Sequence, residues 1–168
     1  MRTASISVKS LLPSVLFDIV AVTVIFLLPS FSHLTGIAMY QLDPMRLALF
    51  AAILLTNRKN AFVIAFLLPI VSFIISSHPY FYKVFLISTE LIINVWLFYL
   101  FANRIKSLFF ASFLSIVISK AIYYLLKFVF IQFLLINDSL VSTSLVIQLV
   151  VSVGISILVA FAMKKKLE

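Results

Sequence analysis

From residue 11 to residue 163 the chain is apolar almost without interruption, broken only by the short segments "SFSHLTG", "NRKN", "SSHPYFYK", "NRIKS" and "NDSLVS". A soluble domain cannot absorb such runs. With 64% hydrophobic residues and 11% charged ones, too little polar surface exists to cover an aqueous fold of this length. The matching solvent is hydrocarbon, in line with a mean hydropathy of +1.26. A spanning helix needs about 20 mostly apolar residues. The breaks therefore divide the chain into helices near 11–29, 37–56, 61–77, 84–102, 108–136 and 144–163, joined by hairpin turns. This pattern predicts an all-α integral membrane protein, a six-transmembrane-helix bundle forming one domain over residues 1–168. Arg2 and Lys9 precede the first run as in a signal peptide, but no small-x-small cleavage site closes it before "PSFSHLTG", which predicts a retained helix.

The net charge of +8 does not point to nucleic acid, because the basic residues sit in the breaks and never form a continuous stripe. They report orientation instead. Arg2, Lys9, Arg58, Lys59, Arg104, Lys106, Lys164, Lys165 and Lys166 fall on one side of the six spans, and Lys83 alone lies in the loops on the other. The positive-inside rule then predicts both termini cytoplasmic. Cysteine is absent, which excludes disulfides and thiolate metal sites. His33 and His78 fall in outer loops without a carboxylate at ligand spacing, so no metal or other cofactor is expected. No Gly-rich phosphate loop, HExxH or nucleophile triad appears, and the chain reads as a non-enzyme.

Arg46, Lys120 and Lys127 are the three remaining basic residues, and all belong to apolar runs. In the predicted topology Glu90 lies about 9 Å below the outer end of the fourth span, and Asn94 is one turn deeper on the same face. Lys120, Tyr124 and Lys127 share a face of the fifth. With Arg46, Gln132 and Gln148, nearly every strongly polar side chain within a span occupies the outer half, Asp18 excepted. A charge at the bilayer centre costs about 2.5–3.5 kcal/mol, so such groups face the bundle interior or water and have partners. Two readings stand for Glu90 with Asn94: a ligand site offering both acceptors and donors, or an ion pair between Glu90 and Lys120 or Lys127 that locks the bundle. Lys127 can also snorkel to the interface. Ser144, Gln148, Ser152 and Ser156 repeat at i+4, and Ser112, Ser115 and Ser119 do so nearly; both sets predict close helix packing, with Gln148 alone placed for a ligand. Asp43 is an expected cap for a helix starting at Pro44, with irregular backbone before it; Pro69 predicts a bend in the third span. Tyr80, Phe81 and Tyr82 suit an interfacial belt.

The stretch "HLTGIAMYQLDPMRLALFAAILLTNRKNAFVIAFLLPIVSFIISSHPYFYKVFLISTELIINVWLFYLF" resembles the substrate-binding S components of energy-coupling factor (ECF) vitamin transporters. The similar pattern is a His-x-x-Gly loop (His33, Gly36), a Pro-initiated second helix (Pro44), a basic inner turn (Arg58, Lys59), Pro69 in the third helix, Pro79 in the next outer loop and Glu90 early in the fourth helix. The resemblance implies a binding subunit without its own ATPase, in the cytoplasmic membrane of a bacterium or archaeon. It would capture a vitamin or precursor outside and join a T transmembrane subunit and two ATPase subunits. It also implies a pocket beneath the loop around His33, built here from Arg46, Glu90, Asn94, Lys120, Lys127 and Gln148. Three cations against one carboxylate favour an anionic or zwitterionic vitamin such as pantothenate, niacin or a folate-like acid, and disfavour cationic thiamine. In that family, small residues spaced as AxxxA on the first helix contact the T subunit; here "SVLFDIVAV" places Ser14, Asp18 and Ala21 on one face instead. The competing expectation is a structural membrane subunit of a cell-envelope or rod-shape assembly that uses its buried charges for packing.

Overall fold

A computed structural model of the chain describes residues 8–36, 39–76, 81–136 and 138–167. Arg2, His78, Pro79 and Tyr80 lie outside the described residues. All regular structure among the described residues is helical: α1 Val8–Thr35, α2 Pro44–Leu55, α3 Arg58–Ser76, α4 Phe81–Ala102, α5 Leu108–Gln132 and α6 Leu145–Leu167. A single 3₁₀ turn, Met39–Leu42, precedes α2.

Several boundaries differ from those read in the sequence, each for a local reason. α1 continues through Pro29, so "SFSHLT" is its last turn and not a loop. It stops at Gly36, whose φ of 68° is accessible without a Cβ clash and whose N–H closes on the Ser32 carbonyl at 3.0 Å. α5 stops at Gln132, short of residue 136. Leu134 takes a left-handed φ of 56°, the Leu135 N–H donates to the Phe130 carbonyl and the Leu134 N–H to that of Ile131. That is the Schellman pairing, made here on a non-glycine residue. α2 starts at Pro44, where the missing N–H costs no helical bond, and its 12 residues span only about 18 Å.

Four helical segments, Leu12–Thr35, Phe81–Ala102, Leu108–Gln132 and Leu145–Lys164, are long and apolar enough to cross a membrane. Their outer faces are apolar: Leu16, Ile19 and Val20 on α1, Phe110 and Leu125 on α5, Val146, Leu149 and Phe161 on α6 are all exposed. Water does not tolerate a contiguous apolar surface of this extent, whereas lipid matches it. The chain is therefore a helical multi-span membrane protein.

Short α2 sits at the centre, packed on α1, α3, α4 and α6, while α4 packs on α3 and α5, and α5 on α6. Leu49, Phe50 and Ile53 of α2 meet Ile64 and Leu68 of α3, Leu91, Val95 and Phe98 of α4, and Ile155 and Val159 of α6 in one core. Phe50 and Phe98 meet edge to face at 5.5 Å between centroids. Because neighbouring helices alternate in direction, the bundle has two chemically distinct ends. One carries exposed Arg58, Lys59, Arg104, Lys106 and Lys164. The other carries the 3₁₀ turn, Asp43 and the α5–α6 loop, and it is there that the polar side chains gather.

Candidate functional site

Asp43 is the hinge of the site. It occupies the N-cap position of α2, and its carbonyl accepts from the N–H groups of Arg46 and Leu47 at 3.0 and 3.1 Å. Its side chain, however, caps nothing. A left-handed backbone (φ 52°, ψ 57°), which Asp tolerates better than most residues, turns the carboxylate inward. There Oδ2 stands 3.2 Å from Arg46 Nη1 and 3.3 Å from Lys120 Nζ. The Arg46 guanidinium reaches across to Glu90 of α4 through Nη2, and Glu90 Oε1 lies 3.8 Å from the same Lys120 amine. Two acids and two bases thus close a ring linking α2, α4 and α5.

The ring has a buried half and an open half. Arg46 and Glu90 are 1% and 8% exposed, while Lys120 and Asp43 are 22% and 26% exposed. The open half faces a pocket of about 280 Å³, whose wall also includes Glu90, Tyr123, Tyr124 and Gln148, with Gln41, Ser142 and Thr143 at the end nearest the loops. Tyr124 Oη donates to Gln148 Oε1 at 2.7 Å, and Gln148 Nε2 donates to the Thr143 carbonyl at 2.7 Å. These bonds fix both ends of the amide and leave the phenol oxygen free to accept.

The sequence-predicted residues sort unevenly around this pocket. Glu90, Lys120 and Gln148 line it, and Arg46 stands behind it as the counter-ion to both acids. Asn94 is fully buried one turn along α4, where Nδ2 donates to Ser119 Oγ of α5 at 3.1 Å. Ser112, Ser115 and Ser119 are likewise buried, each hydroxyl turned back on its own helix, which lets α4 and α5 approach closely. His33 is exposed in the last turn of α1 and is not part of the pocket wall. Lys127 is buried and is bound to the α5–α6 loop, not to the ring: its amine donates to the Ser139 carbonyl at 2.7 Å and lies 3.3 Å from Asp138 Oδ2. Asp43, Tyr123 and the 142–143 segment are residues that sequence reasoning did not assign to the site. For Asp43 a signal existed, since an acid three residues before a base at a helix start makes an i, i+3 pair. The charge count consequently changes from three cations and one carboxylate to two of each. Among the described residues no three His, Asp or Glu side chains converge as metal ligands.

Asp138 also receives Lys83 of α4 at 2.6 Å, so one loop carboxylate ties α4 and α5 to the segment that carries Ser142 and Thr143 of the pocket wall. The hydrogen bond from Lys83, joined by Lys127, holds this carboxyl below the ordinary carboxylate range. A depressed folded-state pKa supplies stability above the ordinary value and loses it as pH falls through the depressed one. Protection of the amides in residues 138–143, corrected for intrinsic exchange, is therefore expected to be steady from neutral pH down to about 4 and to fall below it. After intrinsic exchange is corrected, Asp138→Asn is expected to show fast exchange at every pH. An unchanged exchange profile in that variant would show that Asp138 does not hold the loop.

Comparisons with protein-family models, with curated proteins and with solved structures give no match.

Proposed function

We propose that this chain is a solute-binding membrane subunit, the S component of an ECF-type importer, and that its pocket takes a small zwitterionic vitamin or precursor. The observation that carries the reading is the open half of the ring: Lys120 and Asp43, with the edge of Glu90 behind them, present charge of both signs to a cavity of about 280 Å³. A packing device needs no such opening. A ligand carboxylate can replace Asp43 on Lys120, while ligand N–H or ammonium groups take Glu90 and Asp43. Because the ring is neutral, a zwitterion leaves no charge uncompensated; a purely anionic or cationic solute does. Tyr123 and Tyr124 supply flat walls for the body of the molecule.

The mouth lies at the end opposite the exposed basic residues, which under the positive-inside rule faces outward and leaves both termini cytoplasmic. The energising partners, a T subunit and two ATPases, follow from the resemblance and from the lack of a nucleotide-binding motif. The small-residue face of α1 is already used within the chain: Asn57 Nδ2 donates to Ser14 Oγ at 3.4 Å and Asn60 Nδ2 to Asp18 Oδ1 at 2.7 Å. A T subunit would meet α1 on its apolar exposed face instead, around Leu16 and Ile19. The structural-subunit alternative draws on the Arg46–Glu90 pair, which gives each buried charge a counter-ion without any ligand.

Two measurements test the proposal. The chain alone in liposomes is expected to retain one small solute per copy, seen as a mass shift by native mass spectrometry, and to show no ATP-driven accumulation. ATP-dependent concentrative uptake by the purified chain, or a ligand-free mass that no zwitterion shifts, would end it. For orientation, an impermeant thiol reagent applied to intact cells is expected to label Ser139→Cys and spare Ser107→Cys; the reverse pattern places the mouth inside.

A further inference from the structure

At the opposite, basic end lies a second polar recess that the solute-binding reading does not use. It measures about 260 Å³ and is walled by Arg58 from the start of α3, Trp96, Tyr99 and Leu100 from α4, and Asn103 with Arg104 from the turn after it. The α4 residues and Asn103 follow i, i+3, i+4, i+7 spacing, so they form one stripe running from the turn into the bilayer-facing surface. The Arg58 guanidinium sits 5.0 Å from the centroid of the Tyr99 ring, which orients it across the recess. Arg104 lines the same recess.

Among the described residues neither arginine forms an ion pair. Of the four described acids, Asp43, Glu90 and Asp138 serve the far end, and Asp18 on α1 accepts from Asn60 and pairs with neither arginine. Two arginines lining one recess match a phosphate, which accepts bidentate pairs from the planar guanidinium fork. The flank decides the source. Trp96 is 51% exposed beside the arginines and Leu100 continues the stripe, so the recess opens onto apolar surface and not only onto water. Tryptophan at such a boundary sits at head-group level in a bilayer.

We infer that the recess between α3 and the end of α4 is a binding site for the phosphodiester head group of an anionic phospholipid, held by Arg58 and Arg104 with the acyl chains lying along Trp96 and Leu100. An acidic protein segment would need the same charges but not the apolar flank. Bound lipid at this position would brace α3 against the α4–α5 turn and set the depth of the bundle in the membrane.

Native mass spectrometry of the detergent-solubilised chain, titrated with phosphatidylglycerol or with phosphatidylcholine of the same chain length, tests this. The unaltered chain is expected to prefer phosphatidylglycerol by about tenfold or more. Arg58→Gln with Arg104→Gln is expected to abolish the preference, and Arg58→Lys with Arg104→Lys to retain only part of it, because charge remains but the fork is lost. Lys59→Gln with Lys106→Gln removes equal charge from the same end outside the recess and is expected to keep the preference. Equal losses in the glutamine-for-arginine and glutamine-for-lysine pairs would reduce the effect to general surface charge. Displacement of the lipid by millimolar inorganic phosphate would make the site one for a soluble phosphate. Equal affinity for the two lipids would overturn the inference and leave an acidic protein partner as the occupant to pursue.

Discussion

Arg46→Met is expected to destabilise the bundle by about 3–5 kcal/mol, the cost of breaking a buried ion pair from one side. Arg46 is the largest fully buried side chain among the described residues, and it answers two carboxylates at once, Asp43 and Glu90. Methionine fills much of its volume, so little of the loss comes from packing. What remains is Glu90, largely sealed from water, with only the Lys120 amine at 3.8 Å. Glu90→Gln alone is expected to cost less, about 1–3 kcal/mol, because Arg46 still has Asp43 and only one hydrogen-bonded partner changes. The double variant Arg46→Met, Glu90→Gln removes both members of the buried half and leaves Asp43 with Lys120. It is expected to recover most of the stability lost by Arg46→Met. Thermal unfolding in mixed micelles reads all three, and an Arg46→Met protein that melts with the unaltered chain would show that the ring is not a structural element.

That ordering of effects follows from a feature the sequence only half displays. The six apolar runs, their short connections and the start of α2 at Pro44 are legible, because hydrocarbon burial and proline geometry leave few alternatives. Helix ends are less so. Pro29 and the polar letters of "SFSHLT" suggest a stop, but a proline removes only one i to i−4 bond of a long helix, and α1 runs on to Thr35. At the far end of α5 no glycine marks the turn, since Leu134 itself adopts the left-handed conformation.

In the site, Glu90 and Lys120 are visible as charges that need partners, yet the identity of those partners depends on how α2 is rotated and on one backbone angle at Asp43. Asn94 and Lys127 show the same limit. Both have the chemistry of ligand contacts and the right depth, but Asn94 faces the serine stripe of α5 and Lys127 reaches the α5–α6 loop. Periodicity places a residue on a face; only packing says which neighbour that face meets.

Lys120→Met separates ligand chemistry from bundle architecture more sharply than any change to Glu90, because Glu90 belongs to both. Lys120 lies on the open half of the ring, and its contacts to Asp43 and Glu90, 3.3 and 3.8 Å, are longer than a tight charge-assisted hydrogen bond. Both acids keep Arg46 when the amine is lost. The fold is therefore expected to lose no more than about 1 kcal/mol, as for a partly exposed pair. The pocket changes from neutral to singly negative, and the carboxylate of a zwitterionic solute loses its cation while still facing Asp43 and Glu90. Affinity for the solute that the unaltered chain retains through purification is expected to fall on the order of 100-fold, since truncating one partner of a desolvated charge pair costs about 2–5 kcal/mol. Lys120→Arg keeps the charge and is expected to preserve part of the binding. Titration calorimetry with the extracted solute, run beside thermal unfolding, gives both numbers on one preparation. A Lys120→Met protein that binds normally but melts early would mean that the amine braces α5 against α2 and α4, and the structural-subunit reading would then displace the solute-binding one.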